Sequence, residues 1–94
     1  MLTQIDSTRC SVHESTLFAE VEGEGVLLQM DRASYYGLNE IGTAVWKYLQ
    51  EGKSLIEISG LLLGEYDVSE DELNHDLLEL MNDLIGENLV VVDV

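Results

Sequence analysis

Few residues in this sequence are of types that carry out covalent or metal chemistry. Cys10 is the single cysteine, and His13 and His75 are the two histidines. A nucleophilic thiol needs a neighbour that lowers its pKa, and only Arg9 stands beside Cys10. His75 lies among acids at helical spacing, where a solvated imidazole is the expected state. Carboxylates are abundant, but general acid/base work needs an apolar pocket that raises a carboxyl pKa, and none is evident. Asp67, Ser69 and Asp71 have the spacing of an EF-hand. The sixth loop position is Glu72 instead of Gly and the twelfth is Leu78 instead of Glu, so a calcium loop fails. Asp6-Ser7 precedes strands, which does not suit the helix-starting serine of a carrier protein. The expectation is a protein with no catalytic residue, no metal site and no cofactor.

The charge balance narrows the partners. Four Lys and Arg stand against 19 Asp and Glu in 94 residues, a net charge of −15. Phosphate binding needs basic side chains, so nucleic acid and anionic membrane surfaces are both disfavoured. The negative field is uneven. Residues 1–50 hold seven acids and three bases, whereas residues 51–94 hold twelve acids and only Lys53 as a base. A lone cysteine allows no internal disulfide. Met1 to Ser11 lacks the basic start and apolar core of a signal peptide, and no apolar run approaches the roughly 20 residues of a membrane span. A soluble, cytoplasmic, single-domain protein is expected.

The elements follow from periodicity. Residues 1–11 show none and are expected to form a flexible arm, with one domain over 12–94. Leu17, Ala19 and Val21 alternate with Phe18, Glu20 and Glu22, and Val26, Leu28 and Met30 alternate with Leu27, Gln29 and Asp31, as strands do. Gly23 and the stretch Asp31–Ser34 mark turns between them. Ser34-Tyr35-Tyr36-Gly37-Leu38 reads as a third, edge strand of an antiparallel meander. The period then becomes helical. Asn39 caps a helix ending near Gly52, Ser54 with Glu57 opens a second, and Ser69 with Glu72 opens a third that runs to about Gly86. Leu89–Val92 suits a final short strand. Trp46, about 40° off the main stripe of the first helix, is read as core-edge. The expected architecture is α+β: a three-stranded antiparallel sheet followed by three helices, in a small winged helix-turn-helix-like domain.

The third helix has an unusually wide apolar arc. With Leu73 as origin and 100° per residue, Leu77, Leu80 and Leu84 fall within about 40° of it. Met81, Ile85 and Leu78 form a shoulder at about 80–140°, with Asn74 among them. The shoulder has two readings: a second core face of a central helix, or one wall of a groove. The acids Glu72, Asp76, Glu79 and Asp83 lie on the opposite arc. No Lys or Arg occurs between Ser69 and Gly86, which argues against a DNA-reading helix. An edge strand also offers unpaired backbone groups to which an extended peptide can add.

The ordered set Val26-Leu27-Leu28, Tyr35-Tyr36-Gly37-Leu38-Asn39, Gly42, Val45-Trp46 and Gly52 resembles the PqqD-like family, and most of all its lasso-peptide branch. Tyr66, Val68, Asp76-Leu77-Leu78 and Leu89-Val90 extend the resemblance, which covers about Val12 to Val92. It implies a recognition element that binds the leader of a ribosomally made precursor peptide. The element would work beside a leader peptidase and, downstream, a cyclase. By position, the resemblance puts the strand role on Ser34, Tyr35, Tyr36, Gly37 and Leu38. It puts the helix role on Asn74, Leu77, Leu78, Met81 and Ile85. Two rivals are a peptide chaperone for a radical enzyme and a small acidic oligomerisation or regulatory protein.

Overall fold

The computed structural model describes residues 1–93. In chain order the elements are β1 (Cys10–Val12), β2 (Thr16–Val21), β3 (Glu24–Gln29), β4 (Ser34–Gly37), α1 (Glu40–Gln50), α2 (Leu55–Glu65), α3 (Glu70–Gly86) and β5 (Val90–Val92). Strands β2, β3 and β4 form an antiparallel sheet in that order, so β4 is an edge. The three helices follow, as the α+β reading expects. Among the described residues no helix is long and apolar enough to cross a membrane.

Local chemistry explains the joints. The β2–β3 hairpin turns on Glu22 (φ 53°) and Gly23 (φ 84°), two residues with positive φ, which suits the twist of the flanking strands. Gly25 is needed for a different reason: a Cβ there would lie 2.6 Å from Phe18 Cε1. Buried Gln29 holds the β3–β4 connection, accepting from the Asp31 and Arg32 amides and donating to the Asn88 carbonyl. Asn39 accepts from the Gly42 amide at the start of α1. Ser54 and Glu57 complete a reciprocal capping box at α2. At α3 Ser69 accepts from the Glu72 amide, and Glu70, Asp71 and Glu72 complement the positive end of the helix dipole.

One core joins the layers. Leu27 from the sheet packs with Val45, Trp46 and Leu49 of α1, Leu55, Ile58 and Leu62 of α2, and Leu73, Leu77, Met81 and Leu84 of α3. Trp46 belongs to the interior and not its margin. It is fully buried and stacks on Phe18 with centroids 6.3 Å apart, and its indole N–H has no partner.

The first eleven residues differ from the expected free arm. Cys10–Val12 pairs antiparallel with Val90–Val92, so two of the three residues that partner the closing strand, Cys10 and Ser11, come from the segment read as an arm. Upstream, the Leu55 and Ile56 amides donate to the Thr8 and Asp6 carbonyls, giving the first turn of α2 acceptors its own backbone cannot supply. Asn82 clamps Leu2 with two hydrogen bonds, one to its N–H and one to its carbonyl. These contacts are made by backbone groups, which leave no periodic trace in side-chain types. Cys10 is buried, and burial pushes its thiol pKa up, away from nucleophilic use.

Candidate functional site

The β4 edge presents backbone groups in a defined pattern. Antiparallel neighbours alternate between pairs that exchange hydrogen bonds and pairs that do not. The Leu38 amide bonds the Gly25 carbonyl, so Tyr36 opposite Leu27 and Ser34 opposite Gln29 also face β3. Tyr35 and Gly37 therefore aim their N–H and C=O groups outward, away from the sheet. Side chains alternate in the perpendicular sense. Tyr36 turns inward toward α3, while Tyr35 is 75% exposed on the other face.

Beside this edge lies a groove of about 360 Å³. Val45, Leu62, Leu73 and Leu77 form its apolar floor. One wall is Tyr36, Gly37 and Leu38, continuing into Asn39, Ile41 and Gly42 at the start of α1. The facing wall is Glu72, Asp76 and Leu80, spaced one turn apart along α3, with Val68 from the α2–α3 connection. Further along α3 the Tyr36 hydroxyl donates to Asp83 Oδ2 at 3.1 Å, tying strand to helix.

Of the residues assigned to binding by resemblance, Tyr36, Gly37, Leu38 and Leu77 line the groove. Ser34 and Tyr35 belong to the same strand outside it. The helix shoulder is placed differently. Met81 is 0% exposed and part of the core. Asn74 accepts from the Ser59 hydroxyl of α2 at 2.6 Å. Leu78 and Ile85 are half-buried on the arc between Asn74 and Asn82, and Asn82 holds the N-terminal segment. Asn74 thus meets α2, Met81 lies in the core, Ile85 packs against it, Leu78 is half-buried on the same arc, and none of the four lines the groove. The reason is that α3 has apolar surface on both sides of its stripe, and the N-terminal segment covers one side. Leu80, Glu72 and Asp76 were not assigned to binding. Their signal in the sequence is the meeting of the core stripe with the acidic arc.

The groove is consequently apolar within and acidic at its helical rim. Burial, and next the hydrogen bond to the Asp83 carboxylate, push the Tyr36 phenol up to about 12. Folded Tyr36 keeps its proton where an unfolded chain would release it. Its contribution to stability is full below its ordinary value near 10 and is lost as pH rises through about 12. The hydrogen bond to the Glu65 carboxylate pushes the Tyr48 phenol up to about 12 as well, so the expected result in an alkaline titration is two late phenolate steps in the wild type, of which Tyr36→Phe loses one. An unchanged profile would remove the strand–helix tie from the account. His75, Asp76 and Glu79 also converge on α3, but all three are exposed, and His75 Nε2 lies 3.6 Å from Glu79.

Comparison with known proteins agrees with this architecture. No curated protein matches the chain. Among solved structures, TbiB1 in complex with the TbiA(beta) leader peptide is 29% identical, with a TM-score of 0.80 over 85% of this chain and 93% of that one. A lasso peptide synthetase B1 complexed with the leader peptide is 20% identical, with a TM-score of 0.80 over 88% of this chain and 98% of that one, a likeness of fold. The sequence of residues 24–90, from β3 to the first residue of β5, matches PqqD, coenzyme PQQ synthesis protein D. Spanning the open strand, the groove and all three helices, that match makes the chain a member of the PqqD family.

Proposed function

We propose that this protein binds the leader segment of a ribosomally made precursor peptide, of the lasso-peptide kind, and presents it to a leader peptidase without performing chemistry itself. The peptide would add as a strand to β4 and set apolar side chains into the groove against α3. The work would be done in the cytoplasm. The observation that carries this reading is the pairing of two features. The outward backbone groups of Tyr35 and Gly37 lie beside an apolar groove that no described residue fills. The two solved structures of similar fold were determined with leader peptides, which supports the same ligand class here.

Magnitudes are consistent with the mechanism. A buried aliphatic anchor contributes about 1.5–3 kcal/mol. Micromolar affinity corresponds to about 8 kcal/mol, so two anchors need the main-chain pairing as well to overcome the cost of ordering the peptide. The test is titration of the purified chain with a fluorescent leader peptide from its own biosynthetic cluster. Saturable binding at micromolar concentration or below is expected. No binding at about 100 μM overturns the reading.

The rim charge adds a second expected result. Glu72 and Asp76 border the groove and α3 carries no Lys or Arg. A leader bearing Lys or Arg is attracted over a distance that salt shortens, from roughly 14 Å at 0.05 M to roughly 4 Å at 0.5 M. Stopped-flow association should slow several-fold across that range, and Asp76→Asn should reduce the salt dependence. A rate indifferent to salt means that these acids do not steer the peptide.

A further inference from the structure

The three-stranded sheet has a second edge. Opposite β4 it ends at β2, and no β2 residue lines the groove. The register shows which backbone groups of β2 are free. Gly25 accepts from the Leu38 amide, so Gly25, Leu27 and Gln29 face β4, while Val26 and Leu28 face β2. Their partners Ala19 and Leu17 bond inward, and Phe18 and Glu20 point their N–H and C=O groups out of the sheet. Among the described residues none bonds those outward groups. Thr16, the next in the same set, is already satisfied, because its amide donates to the His13 carbonyl. Folded proteins blunt a free edge with Pro, Lys or a bulge. β2 has none of these. It pairs residue for residue with β3 along its whole length, and its one charged side chain, Glu20, is held by Lys47 at 2.7 Å.

We propose that β2 pairs antiparallel with β2 of a second copy of this chain, joining two sheets into one of six strands. The two-fold axis passes through Ala19, and Phe18 stands opposite the partner's Glu20. The free groups of β2 select this occupant because they complement themselves. Phe18 and the partner's Glu20 exchange two main-chain hydrogen bonds, and the symmetric pair exchanges two more. On the outer face the exposed Leu17 meets the partner's exposed Val21, an apolar cross-strand pair made twice. Charge favours the same register. In a protein of net charge −15 the seam carries only two Glu20–Lys47 pairs and is neutral. An axis at Phe18 would set Glu20 opposite Thr16, whose amide is taken, and an axis at Glu20 would set acid against acid. A single strand seam falls short of the roughly 800 Å² per partner of a stable complex, so the two copies exchange at micromolar concentration. The two β4 edges then lie at the outer ends of the sheet, five strand spacings or about 24 Å apart, with both grooves open. Such a pair offers two peptide sites at once, although the self-pairing does not itself depend on the leader-binding reading.

The test is a cross-link read together with sedimentation. Residues facing each other in a pair without hydrogen bonds have Cα atoms about 4.5 Å apart, within the roughly 4.4–6.8 Å that a disulfide spans. Ala19→Cys should therefore form a covalent dimer under mild oxidation, while the native Cys10 is buried and stays silent. Leu17→Cys lies four residues, about 13 Å, from its own copy across the seam and should cross-link at least tenfold less. Both positions are exposed, so the fold is kept. Without oxidant, sedimentation of the unaltered chain between about 5 and 500 μM should show a monomer–dimer equilibrium. Glu20→Pro removes an N–H that β3 does not use and should weaken that equilibrium at least tenfold, whereas Glu20→Gln keeps the N–H and should change it no more than threefold. Added salt should strengthen the dimer by screening the repulsion between two acidic chains. A leader titration on the cross-linked dimer should find one leader per chain, and a chain that dimerises without binding leader overturns the functional reading alone. A chain still monomeric at about 500 μM overturns the proposal. So does equal cross-linking of Leu17→Cys and Ala19→Cys, and so does a leader site lost on cross-linking, which would put the seam at β4.

Discussion

Replacing Gly37 by proline should lower leader affinity about 30- to 700-fold while the domain stays folded. The register makes this substitution selective. Gly37 lies opposite Val26 in a pair that exchanges no hydrogen bonds, so its N–H points to the open edge and not to β3. Proline is accepted on an edge strand at such a position. A Cβ added there meets no atom within 4 Å. The loss falls on the incoming peptide. It forfeits one main-chain bond, worth about 1 kcal/mol, and leaves a peptide carbonyl facing a ring, costing about 1–3 kcal/mol more. Each 1.4 kcal/mol is a factor of about ten. Gly37→Ala keeps the N–H and should bind within a few-fold of the wild type. Circular dichroism and peptide titration on the three proteins make the comparison. Equal affinity for the proline variant would mean that the peptide does not pair with β4.

The second large effect separates the two flanks of α3. Met81→Glu should unfold the domain or lower its stability by about 4 kcal/mol or more. Met81 is 0% exposed within the core, and a carboxylate there has no partner. That is a large part of the 5–15 kcal/mol typical of a whole domain. Leu80→Glu should leave the fold nearly intact. Leu80 is half-buried on the groove wall, so its replacement removes a contact for the peptide and adds an acid to an acidic rim. Leader binding should fall at least tenfold. Urea unfolding together with peptide titration reads both quantities. Equivalent loss of stability in the two variants would make the groove wall ordinary core.

These contrasts show which parts of the molecule can be read from residue order. The helix starts were legible because Asn39, Ser54 and Ser69 act locally, each accepting from the amide three residues on. The edge strand was legible because short turns force a meander. The orientation of β2 was not, since both of its alternating sets contain apolar residues and the more apolar one faces out. Which flank of α3 lines the groove was not legible for a related reason. Leu78, Met81 and Ile85 are more apolar than Leu80 with Glu72 and Asp76, but the N-terminal segment and α2 take that side. That choice depends on backbone contacts at Leu2, Asp6 and Thr8, which side-chain pattern does not encode.

The ribbon of β1 with β5 sets Cys10 opposite Val92, and none of its residues lines the groove. A tether fused downstream of β5 therefore departs from a corner that none of the groove residues shares. Cargo carried on such a tether would leave the open β4 edge and the groove unobstructed.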